Sequence, residues 1–149
     1  MAMPKSVIRI NNKNGITFID NVDKTKYTLR ELTRAALRDT GKYVCNRFRK
    51  NYYSAFKRKK RRVGRATQYW VRKRENNLQV GVKPNGFYGL FQEFGSSKTK
   101  KLGLLQKSVK NNIPMIVKIQ SQYLSALESE ARAIALIRDK EYKGGAYGE

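Results

Sequence analysis

The sequence predicts an α+β fold: a small antiparallel sheet of hairpins packed against one long N-terminal helix and one long C-terminal helix. Stretches near 6–20 and 67–83 alternate apolar and polar residues on either side of a turn signal, which is typical of β-hairpins. Stretches near 28–56 and 114–138 place apolar residues every three or four positions, which is typical of amphipathic helices. At 149 residues, the chain is expected to form a single domain over 1–149.

The first hairpin is predicted from the Asn14-Gly15 dipeptide, which lies between two runs of β-branched residues. This dipeptide suits the tight turn of a two-residue hairpin, so strands are expected near 6–10 and 15–19. The second hairpin is expected to have strands near 67–74 and 78–83.

The N-terminal helix is predicted to begin at a capping box, in which the Thr28 hydroxyl and the Glu31 carboxylate satisfy each other's backbone amides. The apolar stripe that follows extends the helix to about residue 56. Gly41 within it is expected to mark a bend. Cys45 lies near the stripe and is interpreted as a small core residue rather than a reactive thiol.

A strongly basic segment follows this helix. Seven of its nine residues carry positive charge: Lys57, Arg58, Lys59, Lys60, Arg61, Arg62 and Arg65. Repulsion between like charges predicts a mobile loop over 57–66 in the absence of an anion. Two interpretations of this segment stay open. In one it contacts phosphates or acidic partners, and in the other it is only a solvated loop.

The C-terminal helix is predicted over 114–138, with Pro114 in its first turn and Asn112 as a possible cap. A nearly neutral polar face suggests that its apolar stripe packs on the protein's own sheet or between subunits. The candidate subunit-packing residues are Ile116, Ile119, Tyr123, Leu127 and Ile134. Residues 140–149 are expected to form a flexible tail.

The net charge of +22 is unevenly distributed. Residues 42–110 contain 20 basic residues and two acidic residues, a balance that favours a polyanionic neighbour. The chain has no histidine and one cysteine, and its acidic residues are scattered. These observations argue against an enzyme, a metal site and a cofactor. No apolar run reaches the length of a membrane span, so no membrane association is expected.

The stretch 87–98 is the most informative. Its aromatic residues at 87, 91 and 94 share one face of a short helix, and they are interpreted as core-packing residues. Glu93 is expected to neutralise a basic neighbour or to cap backbone amides. Gly95 ends the turn, and a flexible loop is expected over 96–103. The segment from Gly95 to Lys98, which leaves this helix, is therefore favoured as the site of contact with a partner.

The spacing within this stretch resembles the signature of a family of tailed-phage morphogenesis proteins. This is the gene-product-ten-like, lambdoid group of tail-completion or head–tail joining proteins. The matching positions are Tyr88, Phe91, Glu93, Gly95, Ser96, Ser97 and Lys98. Downstream, Leu104 and Leu105 keep the family's apolar pair, whereas its prolines and arginine are missing here.

The resemblance implies a structural virion protein that assembles, as a ring, between head connector and tail tube. It implies that the partners are phage head-connector and tail proteins, and that the protein forms a homo-oligomer, sixfold by family expectation. It also implies non-specific contact with phage DNA. The expected location is the neck or tail of the virion, after assembly in the host cytoplasm. The alternative is a sequence-independent nucleic-acid-binding protein that uses residues 57–65. Its possible stacking groups are Tyr52, Tyr53, Tyr69 and Trp70, for which core packing is the favoured interpretation.

Overall fold

The structure is a computed structural model that describes residues 3–11, 15–56 and 62–144. It confirms the α+β fold class. The described elements are β1 (Val7–Asn11), β2 (Ile16–Asp20), α1 (Val22–Ala55), α2 (Arg62–Ala66), β3 (Thr67–Arg72), β4 (Asn77–Val82), α3 (Tyr88–Phe94), α4 (Leu104–Lys110), α5 (Ile113–Ser125) and α6 (Glu130–Gly144). The chain divides into two compact units, one comprising Met1–Ala35 with Tyr123–Glu149 and the other Ala36–Gln122.

The first unit contains the hairpin of β1 and β2. The two strands pair antiparallel, from Val7 opposite Asp20 to Asn11 opposite Ile16. Gly15 has a φ of 65°, which a glycine adopts without steric cost. The predicted N-terminal hairpin is thus confirmed to within one residue at each strand.

Helix α1 begins six residues earlier than the sequence predicted. The Asp20 carboxylate accepts a hydrogen bond from the Val22 amide at 2.9 Å, which satisfies one of the free amides of the first turn. The Thr28 hydroxyl donates to the Lys24 carbonyl at 2.9 Å, and Glu31 forms an ion pair with Arg34. The predicted capping box is therefore wrong, because its residues lie inside the helix.

The predicted continuous helix over 114–138 is also wrong. Helix α5 ends at Ser125, a 3-10 turn follows over Ala126–Glu128, and Ser129 is extended with φ −134° and ψ 118°. The Ser129 carbonyl accepts the Ala133 amide and so opens α6. A serine followed by a glutamate is a common helix start, because the acid suits the positive end of the helix dipole.

Because the helix is interrupted, the buried side chains of the first unit differ in part from the predicted apolar stripe. Ala126, Ala133 and Ile137 are buried, whereas Leu127 is 43% exposed and falls out of the predicted apolar stripe. Helix α6 extends to Gly144 and so occupies the first half of the predicted tail. Residues 145–149 lie outside the described residues.

In the second unit, β3 and β4 form a separate two-stranded sheet that confirms the predicted second hairpin. The strands pair antiparallel from Thr67 opposite Val82 to Arg72 opposite Asn77. Helix α1 continues through Gly41. A Cβ at this position would lie 2.7 Å from the Tyr69 ring, so glycine allows α1 to approach the hairpin closely.

The core of this unit is built on the C-terminal half of α1. Phe48, Tyr52 and Val63 are buried together, and α4 contributes the partly buried Leu104 and Leu105. Cys45 is 2% exposed, which confirms its prediction as a core residue. Its burial raises the pKa of the thiol to about 11, against a smaller opposite effect of the Arg49 charge.

The junction of α4 and α5 is held by Asn112, although not in the way predicted. Its side-chain amide donates to the Ser108 carbonyl at 2.8 Å, and its side-chain oxygen accepts the Tyr43 hydroxyl at 2.9 Å. The Asn112 side chain therefore ties α5 to α1 instead of capping α5. Within the described part of the chain, no helix is long and apolar enough to cross a membrane.

Candidate functional site

Helix α3 lies on the core of the second unit through small residues. Gly89 is buried, and a Cβ there would come within 2.8 Å of the Val63 side chain. Gly86, in the preceding 3-10 turn, would meet the Ala66 side chain at 2.5 Å. These two glycines allow the backbone of this segment to lie directly on α2.

The large apolar side chains of α3 point the other way. We call the exposed set Phe87, Tyr88, Leu90, Phe91 and Phe94 the aromatic face; their exposed fractions are 46%, 58%, 51%, 48% and 71%. Isolated exposed apolar residues are common, but a contiguous cluster of this kind marks an interaction site. The prediction that these aromatics pack in the core is therefore wrong, since the helix buries its glycine and exposes its rings.

The rings of the aromatic face are ordered against one another. The centroids of Phe87 and Tyr88 are 4.0 Å apart, and those of Phe87 and Phe91 are 6.2 Å apart with nearly perpendicular planes. Such contacts are favourable arrangements of aromatic pairs. The face is thus partly preorganised, which lowers the entropy lost when a partner binds.

Glu93 fixes the orientation of α3 relative to α4. Its two carboxylate oxygens accept hydrogen bonds from the amides of Leu105 and Gln106, each at 2.9 Å. Gly103, which precedes α4, provides no side-chain cap of its own. A carboxylate at a helix N-terminus satisfies free amides and suits the helix dipole, so the predicted amide-capping role of Glu93 is confirmed.

The segment that leaves α3 folds back against it. Gly95 has a φ of 84°, and a Cβ there would lie 3.2 Å from the Lys101 amide nitrogen. Backbone hydrogen bonds join Ser96 with Thr99, and the Leu102 amide donates to the Gln92 carbonyl at 2.8 Å. The Ser96 hydroxyl also accepts the Lys98 amide at 3.3 Å. Four members of the sequence motif, Glu93, Gly95, Ser96 and Lys98, thus hold the base of the aromatic face.

Lysines flank the aromatic face in the sequence. We call the exposed lysines Lys83, Lys98, Lys100 and Lys101 the cationic rim, because they lie four residues before the aromatic face and four to seven residues after it in the chain. Residues 36–122 contain 22 basic and three acidic residues, a balance of +19, against +3 for the rest of the chain. Two of those acids are engaged, Glu93 by amides and Glu75 by Arg72.

The basic segment falls into two parts. Residues 57–61 lie outside the described residues, and the remainder forms α2 where a loop over 57–66 was predicted. Val63 and Ala66 are buried and anchor α2 in the core, while Arg65 is exposed. Burial of these apolar residues explains why a helical turn forms in spite of the neighbouring charges.

Arg49 is a supporting residue that the sequence analysis missed. It donates to the Gly64 carbonyl at 3.0 Å and to the Thr67 carbonyl at 2.8 Å. It therefore joins α1 to the end of α2 and the start of β3. Its position on the polar side of a basic helix gave no signal that distinguished it from its neighbours.

The four possible stacking residues do not form a common surface for bases. Tyr52 is 2% exposed, Tyr53 packs on Gly64, and Tyr69 packs on Gly41. Trp70 is 41% exposed and lies across Gly81. Core packing, the favoured interpretation, holds for Tyr52, and the other rings lie against the protein with part of their surface open.

The described residues enclose a small cavity on the inner side of the candidate site. A cavity beneath α3, lined by Tyr52, Gly89 and Gln92 among others, has a volume of about 10 Å³, which is room for one water molecule. Among the described residues, no group of three acidic or cysteine side chains is placed to hold a metal ion.

No family model, curated protein or solved structure matches this chain.

Proposed function

We propose that this protein is a non-enzymatic assembly subunit that binds other proteins through the aromatic face of α3. The observation that carries the proposal is the exposure of five large apolar side chains, those of Phe87 and of four residues of the seven-residue helix α3 that follows it. Burying these side chains against a partner would remove their apolar surface from water, at roughly 25 cal/mol per Å². Aromatic residues are also enriched at the centres of protein interfaces.

The resemblance of the stretch 88–98 to phage morphogenesis proteins suggests where such a subunit acts. We propose the neck or tail-proximal end of a tailed-phage virion, in a tail-completion or head–tail joining position. In this chain, the motif residues Glu93 and Gly95 hold α3 against α4 and the returning loop. In this proposal, the motif residues stabilise the position of the surface that binds a partner.

Assembly as a ring between head connector and tail tube remains part of this proposal. A head-to-tail contact between copies closes into a ring when its rotation allows. Helix α5 offers further apolar surface for subunit packing, since Ile113, Val117 and Leu124 are all more than half exposed. Of the predicted packing residues, Ile116, Ile119 and Ile134 are half-buried, and Tyr123 is buried.

The decisive experiment is to look for the protein in virions and to measure its oligomeric state. We expect mass spectrometry of purified particles to detect it, and light scattering of the purified protein to show concentration-dependent oligomers. A protein that stays monomeric at all concentrations and is missing from particles would exclude the proposal.

A second candidate function is sequence-independent nucleic-acid binding, which the concentration of positive charge in residues 36–122 favours. Binding of this type releases counterions, so the affinity for duplex DNA should fall steeply between 50 and 200 mM salt, by about 10³-fold for roughly six phosphate contacts. Neutralising the seven basic residues of 57–65 should weaken binding without lowering thermal stability. Sequence-selective binding that persists at high salt would contradict this candidate.

A further inference from the structure

The aromatic face and the cationic rim together define the kind of partner that fits α3. The face supplies five exposed apolar side chains, and lysines border it on the sequence before and after the helix. Among the described residues, none of the four rim lysines takes part in an ion pair within this chain; the described pairs involve Lys24, Arg34 and Arg72. We propose that α3 binds an acidic protein, one that offers an apolar cleft edged by carboxylates.

A second copy of this chain fits the surface less well. It would bring its own balance of +19 in residues 36–122, and like charges facing each other oppose association. The same region contains only three acids, Asp39, Glu75 and Glu93, and each of them already takes part in an interaction within the chain. An acidic protein therefore offers the carboxylates that the cationic rim requires more readily than this region of a second copy.

Nucleic acid also fits less well. A duplex presents phosphates that would attract the lysines, but its bases are stacked inside and its backbone offers no apolar cleft. The Phe87 ring is already in contact with both Tyr88 and Phe91, so it does not stand as an open platform for a base. An acidic protein satisfies both the apolar and the charged part of the surface.

The first test uses a defined probe, an 18-residue amphipathic helical peptide with a leucine stripe. It is made in three forms, with glutamate, glutamine or lysine on the polar face, and is titrated into ¹⁵N-labelled full-length protein. We expect the glutamate form alone to shift the amide resonances of residues 87–101, and its affinity to fall about tenfold or more at 0.5 M salt because the charges are screened.

Matched variants locate the contact. Phe91→Ser with Phe94→Ser should reduce the affinity at least tenfold, whereas Ile113→Ser with Val117→Ser, which removes two exposed apolar side chains from α5, should leave it unchanged. Lys98→Glu with Lys100→Glu should reduce the affinity for the glutamate peptide and narrow its advantage over the glutamine peptide, because the cationic rim then has no net charge. All six positions are exposed, so the fold should persist in each variant.

Several results would overturn the inference. These are equal binding of the three peptides, no binding of any of them, and binding at a site other than α3. The inference also fails if the α3 resonances respond more strongly to phosphatidylserine vesicles, to a single-stranded oligonucleotide or to the concentration of the protein itself.

The inference rests on the proposed function only in taking α3 as an assembly surface, and the two can fail separately. If the three peptides bind equally well, while virions contain the wild-type protein in larger amounts than the Phe91→Ser, Phe94→Ser variant, the inference fails and the proposed function stands. If the peptide results are as expected but the wild-type protein is missing from virions, the proposed function fails and the inference stands.

Discussion

At the scale of single residues, Glu93 has the largest number of consequences for the candidate site. Its carboxylate satisfies two amides of α4 while its backbone belongs to α3. Removing it leaves the amides of Leu105 and Gln106 without these acceptors and frees α3 from α4. The side chain thus supports both the stability of the fold and the position of the aromatic face.

Glu93→Ala is expected to lower the free energy of unfolding by about 1–2 kcal/mol, the usual effect of losing a helix cap. Urea denaturation followed by circular dichroism measures the change. The matched control is Glu75→Ala, which removes an exposed carboxylate paired with Arg72 and should leave stability unchanged. Equal effects of the two substitutions would show that the α4 amides do not depend on Glu93.

Cys45 makes stability depend on pH in the alkaline range. Burial raises the pKa of its thiol to about 11 from an ordinary value of 9.0, and burial also raises the pKa of Tyr69. Above pH 9 the unfolded chain releases the thiol proton while the folded chain keeps it. Stability should therefore be complete below pH 9 and fall as the pH rises towards 11, by an amount on the order of 2 kcal/mol.

Urea denaturation at pH 8, 9, 10 and 11 measures this dependence. In Cys45→Ala the slope should become smaller, and the remainder would reflect Tyr69. The comparison uses slopes because the substitution also removes a buried sulfur atom. Identical slopes for the two proteins would contradict the assignment to Cys45.

At the scale of elements, close packing of α1 on the β3–β4 hairpin depends on Gly41. A Cβ there would lie 2.7 Å from the Tyr69 ring and 2.8 Å from the Leu78 side chain. Both contacts are far shorter than ordinary van der Waals distances, so either the helix or the hairpin would have to move.

Gly41→Ala is expected to destabilise the protein by up to about 2 kcal/mol, because overpacking costs about 1–3 kcal/mol and the gain in helix propensity offsets only ~1 kcal/mol of that cost. Thermal or urea denaturation measures the change. Lys42→Ala, at the exposed neighbouring position, serves as the control and should be close to neutral. A stabilised Gly41→Ala protein would mean that α1 and the hairpin are not in close contact.

Elements also show how far the sequence could predict this fold. Both hairpins and the α+β class followed from period-two alternation and turn residues, since these signals are local. The start of α1 did not, because Thr28 and Glu31 match a capping pattern equally well inside a helix. Asp20 was included in the preceding hairpin region, just after the predicted strand near 15–19, and was not considered as a cap. The interruption at Ser129 was missed because apolar spacing continued across it.

The candidate site was predicted in part, for a physical reason. The amide-capping role of Glu93 could be proposed because a single acid in a basic region needs a structural partner. The exposure of Phe91 and Phe94 could not be predicted, because periodicity identifies a helix face without showing whether that face contacts the core. Here the inner face is defined by Gly89, which has no hydrophobic side chain to contribute to such a pattern.

At the scale of the whole molecule, the net charge of +22 is the dominant property. Mutual repulsion of so many positive charges opposes the compact state. Two of the described ion pairs, Lys24 with Glu130 and Arg72 with Glu75, are too exposed to offset that repulsion.

Raising NaCl from 0.05 to 0.5 M is therefore expected to increase the midpoint of urea denaturation, since screening weakens the repulsion. The measurement is repeated with a variant in which the seven basic residues of 57–65 are replaced by glutamine. The variant should be less sensitive to salt than the wild-type protein. A midpoint that falls with added salt would show that attractive ion pairs outweigh the repulsion.

The inward glycine and outward rings of α3 also bear on how such a surface can change over time. Gly89 meets Val63 so closely that almost any replacement would disturb the core, whereas Phe94 is 71% exposed and constrains nothing beneath it. Related chains should therefore keep the glycine and vary the exposed ring. A conserved inner side and a variable outer side would allow this helix to acquire a new partner without a change in the fold.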